Sequence, residues 1–110
     1  MEKPILREMQ ERIVRSFLDV LILAHLRKES KSGYDVIAFI HKKFNMLMSS
    51  GTVYSTLYSL ERDGLIQSNL TQRKRVYTPT DEGKKIIQVL LNENEKIQQF
   101  VVNLLGDASE

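Results

Sequence analysis

Cysteine is absent from the 110 residues, which excludes disulfides, thiolate nucleophiles and cysteine-held metals and leaves packing to supply the stability. This fits a reducing compartment. Long hydrophobic runs are also missing: the most apolar stretch, Phe17 to Leu26, is short and interrupted by Asp19 and His25, with no small-residue cleavage site after it. Neither a signal peptide nor a membrane span is supported, and a soluble cytoplasmic protein with no membrane partner is expected. Charge of one sign is scarce as well, the formal net charge being only +2. The two histidines, His25 and His41, lie far apart with no carboxylate at ligand spacing, so no metal site is expected and both read as helix-surface residues. No strained elbow, glycine-rich phosphate loop or paired-carboxylate arrangement occurs, so neither catalysis nor a cofactor is indicated. Repeats and low-complexity segments do not occur either.

What is present fits one domain, residues 1–110, because a chain of this length with 42% hydrophobic content builds one core and not two. The net charge is unevenly placed. Val36 to Thr80 carries six basic side chains against two acidic ones, while the remainder has two more acids than bases. From Ile5 to Lys28, apolar residues at Leu6, Met9, Ile13, Phe17, Val20, Leu21, Leu23 and Ala24 predict one long helix, the N-terminal element of residues 1–28. The stripe is narrow over Ile5 to Val14 and broad over Phe17 to Leu26. The first half, with Ile5, Met9 and Ile13, is therefore expected to meet a partner and the second to be buried.

Ser30 to Gly33 reads as a polar loop. A second helix follows over Tyr34 to Phe44, with Ser32 as its N-cap and Lys42 and Lys43 in its last turn, where cations suit the helix dipole. After a tight connection with Leu47 or Met48 tucked inward comes a third helix, capped by Ser49 and stopped by Gly64. Its Val53, Leu57 and Leu60 make an apolar stripe. Ser50, Gly51, Thr52, Tyr54, Ser55, Tyr58 and Ser59 point elsewhere with no acid among them, so this face can approach a phosphate backbone without repulsion. Two short helices joined by a brief turn form a helix-turn-helix unit.

Leu65 to Leu70 and Arg75 to Pro79 predict a β-hairpin whose tip, Thr71 to Lys74, is basic. Thr80 then caps a last helix over Asp81 to Leu105, with Asp81 and Glu82 at the positive end of its dipole. That helix is too apolar for a monomer to bury. Read as heptads, Ile87, Asn94 and Val101 occupy one core position and Leu90, Ile97 and Leu104 the other, so a second copy of the chain is the expected partner. Asn94 either pairs with its symmetry mate or sits at the rim in water. Gly106 to Glu110 reads as a fraying acidic tail, and Met46 and Met48 either fill the core or line a pocket for a small hydrophobic effector.

Four blocks in order, Gly33-Tyr34-Asp35-Val36-Ile37, Ser49-Ser50-Gly51-Thr52-Val53-Tyr54, Leu60-Glu61-Arg62-Asp63-Gly64-Leu65-Ile66 and Tyr77-Thr78-Pro79-Thr80-Asp81-Glu82-Gly83, resemble the PadR family of transcriptional regulators. The resemblance spans about Leu18 to Leu91. The short length with a single C-terminal helix is similar to the smaller PadR subgroup. It implies a mainly α, α+β fold: a winged helix core over residues 30–80, a two-stranded wing, and a C-terminal dimerisation helix over residues 81–105. It also implies a homodimer that represses a nearby gene. Family members commonly have proline where this chain has Ser50 and Ser55, and many have a longer wing.

A helix of this kind enters a major groove of double-stranded operator DNA, and its contact candidates are Thr52, Tyr54, Ser55 and Tyr58, with Ser49, Ser50 and Gly51 at its amino end. Hydroxyls there, with free amides and the dipole, favour phosphate, so they orient more than they read bases. Arg73, Lys74 and Arg75 in the wing, with Lys42 and Lys43 on the same side, add charge for the flanking backbone. Ser32 and Tyr34 complete the candidate set, although Tyr34 and Tyr77 read first as packing residues with a polar tip. Two other functions stay open: a winged helix module for protein assembly, and an architectural DNA binder without operator preference.

Overall fold

A computed structural model describes residues 4–109; Met1–Lys3, at the head of the expected first helix, and Glu110, at the end of the expected tail, lie outside the described residues. The elements are α1 (Pro4–Ser16), α2 (Leu18–Leu26), α3 (Gly33–Phe44), α4 (Ser50–Arg62), β1 (Ile66–Thr71), β2 (Lys74–Pro79), α5 (Asp81–Asn92), α6 (Asn94–Val102) and a 3-10 turn, Gly106–Ser109. The fold is mainly helical with one two-stranded antiparallel sheet, a winged helix.

Local chemistry starts each core helix. Ser32 Oγ accepts from Asp35 N while Asp35 Oδ2 accepts from Ser32 N, a reciprocal capping box on α3. Ser49 Oγ accepts from Thr52 N on α4, and Thr80 Oγ1 accepts from Gly83 N on α5. At the end of α4, Gly64 has φ +78, Leu65 N donates to Leu60 O and Gly64 N donates to Glu61 O. This pair of bonds is a Schellman motif, and it needs a residue that enters the left-handed region without steric cost.

The core is built where α2, α3 and α4 cross under the sheet. Ile22, Leu26, Val36, Ile40, Val53, Leu57 and Ile66 are fully buried in it. Met46 and Met48 belong to the same cluster, so they fill the core and do not line an effector pocket, while Leu47 is 88% exposed. Each fully buried aliphatic side chain of this kind is worth about 1.5–3 kcal/mol relative to exposure.

Several boundaries differ from the expectations. The long N-terminal helix is two helices broken at Phe17, and the C-terminal one is two helices broken at Glu93. Hydrogen bonds bracket both breaks, Phe17 N to Ile13 O and Leu21 N to Phe17 O at the first, Glu93 N to Val89 O and Ile97 N to Glu93 O at the second. Phe17 (φ −108, ψ 23) and Glu93 (φ −100, ψ 14) thus leave helical dihedrals without the chain unravelling. Val14 in the last turn of α1 already joins the core at 8% exposure, Leu18 follows it, and Phe17 between them is 49% exposed. Helix α6 stops at Val102, short of Leu104 and Leu105, and the tail takes up a 3-10 turn. The loop before α3 is also more ordered than a polar connection: Lys31 and Tyr77 exchange both backbone hydrogen bonds, which adds a one-residue rung beside β2.

Candidate nucleic-acid interface

With Val53, Leu57 and Leu60 buried, helical spacing directs Gly51, Ser55, Tyr58 and Arg62 straight outward, and all four are exposed. Tyr54 leans to one flank. Its ring lies so close over Gly33 that a β-carbon there would clash with it, so the absence of a side chain at Gly33 sets how near α3 and α4 approach. On the other flank Ser55, Thr56 and Ser59 border a cleft shared with Arg15, Ser16, Asp19 and Asp63. The two carboxylates offset Arg15 there. At the amino end, Ser49 Oγ also donates to Thr52 Oγ1 at 2.8 Å, so these two hydroxyls partly satisfy each other.

The wing is joined by a two-residue turn, Gln72 and Arg73, between the paired Thr71 and Lys74. Both turn residues have positive φ, 50 and 65, as a type I′ hairpin loop requires. That conformation usually selects Asn or Gly, so the tip carries backbone strain. Lys74 Nζ lies 3.5 Å from Asp35 Oδ2, tying the wing to the start of α3. The Ser32 backbone N–H is the largest of the influences that hold the Asp35 carboxyl below its ordinary range, and Lys74 adds to it. Under the wing, burial pushes the Tyr77 hydroxyl up, with the Glu61 charge adding to the effect.

A family model for the transcriptional regulator PadR-like family matches residues 22–89. The chain belongs to the PadR-like family. Members of this family are transcriptional regulators and not enzymes. Among solved structures, a transcriptional regulator from Clostridium thermocellum is 26% identical over 84% of this chain and 93% of that one, with a TM-score of 0.73. A PadR family transcription regulator from Clostridium difficile is 26% identical over 80% and 96%, with a TM-score of 0.71. Bacillus subtilis PadR, solved in complex with operator DNA, is 30% identical over 67% of this chain and 46% of that one, with a TM-score of 0.62. No curated protein matches the chain.

On this PadR-like frame the candidate residues separate. Ser49, Ser50, Gly51, Thr52, Tyr54, Ser55 and Tyr58 share the exposed side of α4, and Arg73, Lys74 and Arg75 are exposed on the wing. Tyr34 is 72% exposed at the start of α3, so the packing role expected for it is wrong; Tyr77 is buried at 6%. Ser32 is also buried, at 5%, and its hydroxyl is engaged as the α3 cap, which removes it from the contact surface. Lys42 is exposed, but Lys43 does not join the wing side. Its ammonium lies over the Phe39 and Phe44 rings at 5.5 and 5.7 Å, facing a hollow of about 380 Å³ between α2, α3 and α5. His25 stacks on Phe39 at 3.8 Å in that hollow and is half-buried, not a surface histidine; His41 is exposed.

Sequence reasoning passed over Arg62. It continues the outward row of α4, four residues after Tyr58, with its guanidinium 5.8 Å from the Tyr58 ring centroid, so helical spacing alone reaches it. Among the residues assigned to self-association, Ile87 is buried at 2% inside the protomer and Leu90 packs on the same core. Ile87 is therefore not available to a seam between copies, whereas Leu90 is only half-buried. Ile5, Met9, Ile13, Ile97, Val101 and Leu104 are exposed, and Asn94 Oδ1 accepts from Gln98 within its own helix. Among the described residues no helix is long and apolar enough to cross a membrane.

Proposed function

We propose that the chain is a cytoplasmic, homodimeric repressor of the smaller PadR subgroup, binding a roughly palindromic operator through two copies of α4. The observation that carries this is the exposed row Gly51, Ser55, Tyr58 and Arg62 on a doubly capped helix, with no acid between Ser49 and Leu60, beside a basic wing. Free amides and hydroxyls at the α4 amino end suit a phosphate, and Ser55, Tyr58 and Arg62 then face the bases or the opposite backbone. That operator DNA is bound by the Bacillus subtilis relative supports the same partner for this chain.

Self-association is supported by apolar side chains that water does not favour. Ile5, Leu6, Met9 and Ile13 on α1, and Phe100, Val101 and Val102 on α6, are all at least 45% exposed. Exposed apolar side chains in such number on the two terminal helices suit burial against a second copy. A symmetric dimer paired through these side chains calls for half-sites about one helical turn apart. Room for a small apolar effector exists in a hollow of about 260 Å³ beside that surface, bordered by Phe17, Val20, Leu90, Leu91 and Ile97.

Fluorescence anisotropy against the DNA upstream of its own coding region and a scrambled control, across a salt series, tests the reading. With about six phosphate contacts per dimer, affinity should fall on the order of a thousandfold between about 50 and about 200 mM salt. Equal affinity for both duplexes would mark an architectural binder. No binding at low salt would mark an assembly module.

A further inference from the structure

The three wing cations are not equivalent. Lys74 is paired with Asp35, whereas Arg75 Nη1 donates to Ser68 Oγ at 2.9 Å and Ser68 Oγ donates to Glu61 Oε2 at 2.7 Å. Ser68 stands on β1, opposite Tyr77 and diagonal to Arg75 across the ladder, and Glu61 belongs to the last turn of α4. Guanidinium, hydroxyl and carboxylate thus form one chain from the wing to the end of the helix. Arg73 at the tip makes no ion pair or hydrogen bond with its side chain among the described residues.

The geometry points to Arg75 as a positioning residue that sets the angle between wing and α4 through Ser68 and Glu61, with Arg73 as the wing's phosphate contact. This rests on the DNA-binding reading. Its physical basis is that a two-stranded ribbon on its own is marginal and bends easily, so a wing needs bracing to hold a charge at a fixed distance from a groove. A charge-assisted chain braces it on the α4 side, and the Lys74–Asp35 pair braces it on the α3 side. The relay also accounts for Glu61. Its carboxylate lies beside a face meant for phosphate, and the Arg75 charge two bonds along the chain offsets its repulsion.

Salt slopes separate a brace from a direct grip on DNA, because only a group that neutralises a phosphate changes the number of counterions released. The full-length protein is titrated onto a labelled duplex from the DNA upstream of its own coding region. Ser68→Ala alters no charge, yet it should weaken binding about fivefold, the cost of ordering a freed wing on the duplex, with the slope unchanged. Arg75→Met should weaken binding similarly, and the double variant no further. Ser68→Thr, which keeps the hydroxyl, should restore affinity. Arg73→Gln should instead lower the slope by about 0.9 for each phosphate that the side chain had neutralised. Wild-type affinity in Ser68→Ala, or a slope lowered by Arg75→Met as much as by Arg73→Gln, overturns the assignment of Arg75. Failure of the wild type to bind any duplex at low salt overturns the DNA-binding reading itself, and the assignment with it. Unfolding midpoints of all variants are measured alongside, and Ser68→Thr keeps the test decisive if Ser68→Ala is unstable.

Discussion

Gly83→Ala should destabilise the protein, although alanine is the better helix former. Gly83 is buried in the first turn of α5, and a β-carbon added to it would stand 2.1 Å from the Leu65 carbonyl oxygen. Backbone, unlike the end of a side chain, cannot swing aside. Relief requires α5 to retreat by about 1 Å, since carbon and oxygen do not approach much closer than van der Waals contact. The same carbonyl accepts Thr80 N at 3.0 Å, and Thr80 Oγ1 donates to Gly64 O at 2.7 Å, so the retreat pulls on both bonds. Overpacking of this kind costs about 1–3 kcal/mol and a weakened hydrogen bond about 0.5–1.5 kcal/mol, against a helix-propensity gain of about 0.5–1 kcal/mol. The net loss is about 2 kcal/mol, or on the order of 10 °C in Tm for a chain of this size. Gly51→Ala is the control, because nothing lies within 4 Å of its added carbon, and it should be neutral or slightly stabilising. Thermal unfolding by circular dichroism at one fixed protomer concentration reads both, since association shifts Tm. A Gly83→Ala protein that melts at or above the wild-type temperature would refute the packing argument.

Ser49→Ala removes the α4 cap and should cost about 1 kcal/mol in urea unfolding, whereas Ser49→Asp, which can accept the same amide bond, should retain most of it. Burial is the largest of the influences holding the His25 imidazole below its ordinary value, followed by the Lys31 charge, with Lys43 adding and Glu29 and Asp35 opposing. The unfolded chain therefore takes up this proton first as pH falls. Stability from His25 is complete above the unfolded value and declines as pH drops through it toward the lowered one, so Tm should fall as pH drops through the ordinary imidazole value of 6.5, less so in His25→Phe, which keeps the stack on Phe39. An identical pH dependence in that variant would clear His25. Ile97→Asp together with Val101→Asp should halve the sedimenting mass while leaving the far-ultraviolet spectrum intact; an unchanged mass would place the self-association surface elsewhere.

Most of what was legible in the sequence is local. A cap is a contact across three residues, so Ser32, Ser49 and Thr80 announce α3, α4 and α5 without knowledge of the rest of the chain, and Gly64 does the same for the end of α4. The stripe Val53, Leu57 and Leu60 is local too, because its spacing is a property of one helix. What stayed hidden depends on other elements. No proline or glycine marks Phe17 or Glu93, and the hydrogen bonds that bracket both breaks leave the periodicity nearly intact. The heptad pattern consequently joined Ile87, which points into the core, to Val101, which points out of it. Ser32 could be recognised as a cap but not as buried, since its burial comes with the Lys31–Tyr77 rung, a pairing of residues 46 positions apart. Lys43 has the composition of a phosphate contact and the position of a cavity residue. Its side is decided by the Phe39 and Phe44 rings beneath its ammonium and by the His25–Phe39 stack that joins α3 to α2.

The two breaks also bear on how the parts would act together. Phe17, at the first, borders the same hollow as Asn94 and Ile97, just past the second, so both breaks lie beside one hollow. On one side of the breaks, α2 and α5 supply Leu18, Ile22, Leu23, Leu26 and Ile87 to the core; on the other, α1 and α6 carry Ile5, Leu6, Met9, Ile13, Phe100, Val101 and Val102, all exposed. If the proposed dimer pairs through α1 and α6, the distance between two copies of α4 depends on the geometry at the two breaks and on what fills the hollow beside them. Major-groove readers need that distance to match the helical repeat of DNA, because a pair of phosphate-gripping helices with few base-specific donors discriminates mainly by spacing and shape. Enlarging Ala24, which lies on the wall of the hollow and is exposed, should accordingly change the preferred half-site spacing more than the affinity of a single half-site. Ala24→Leu titrated against operators differing by one base pair in spacing tests this, and an unchanged spacing preference would disconnect the breaks from recognition.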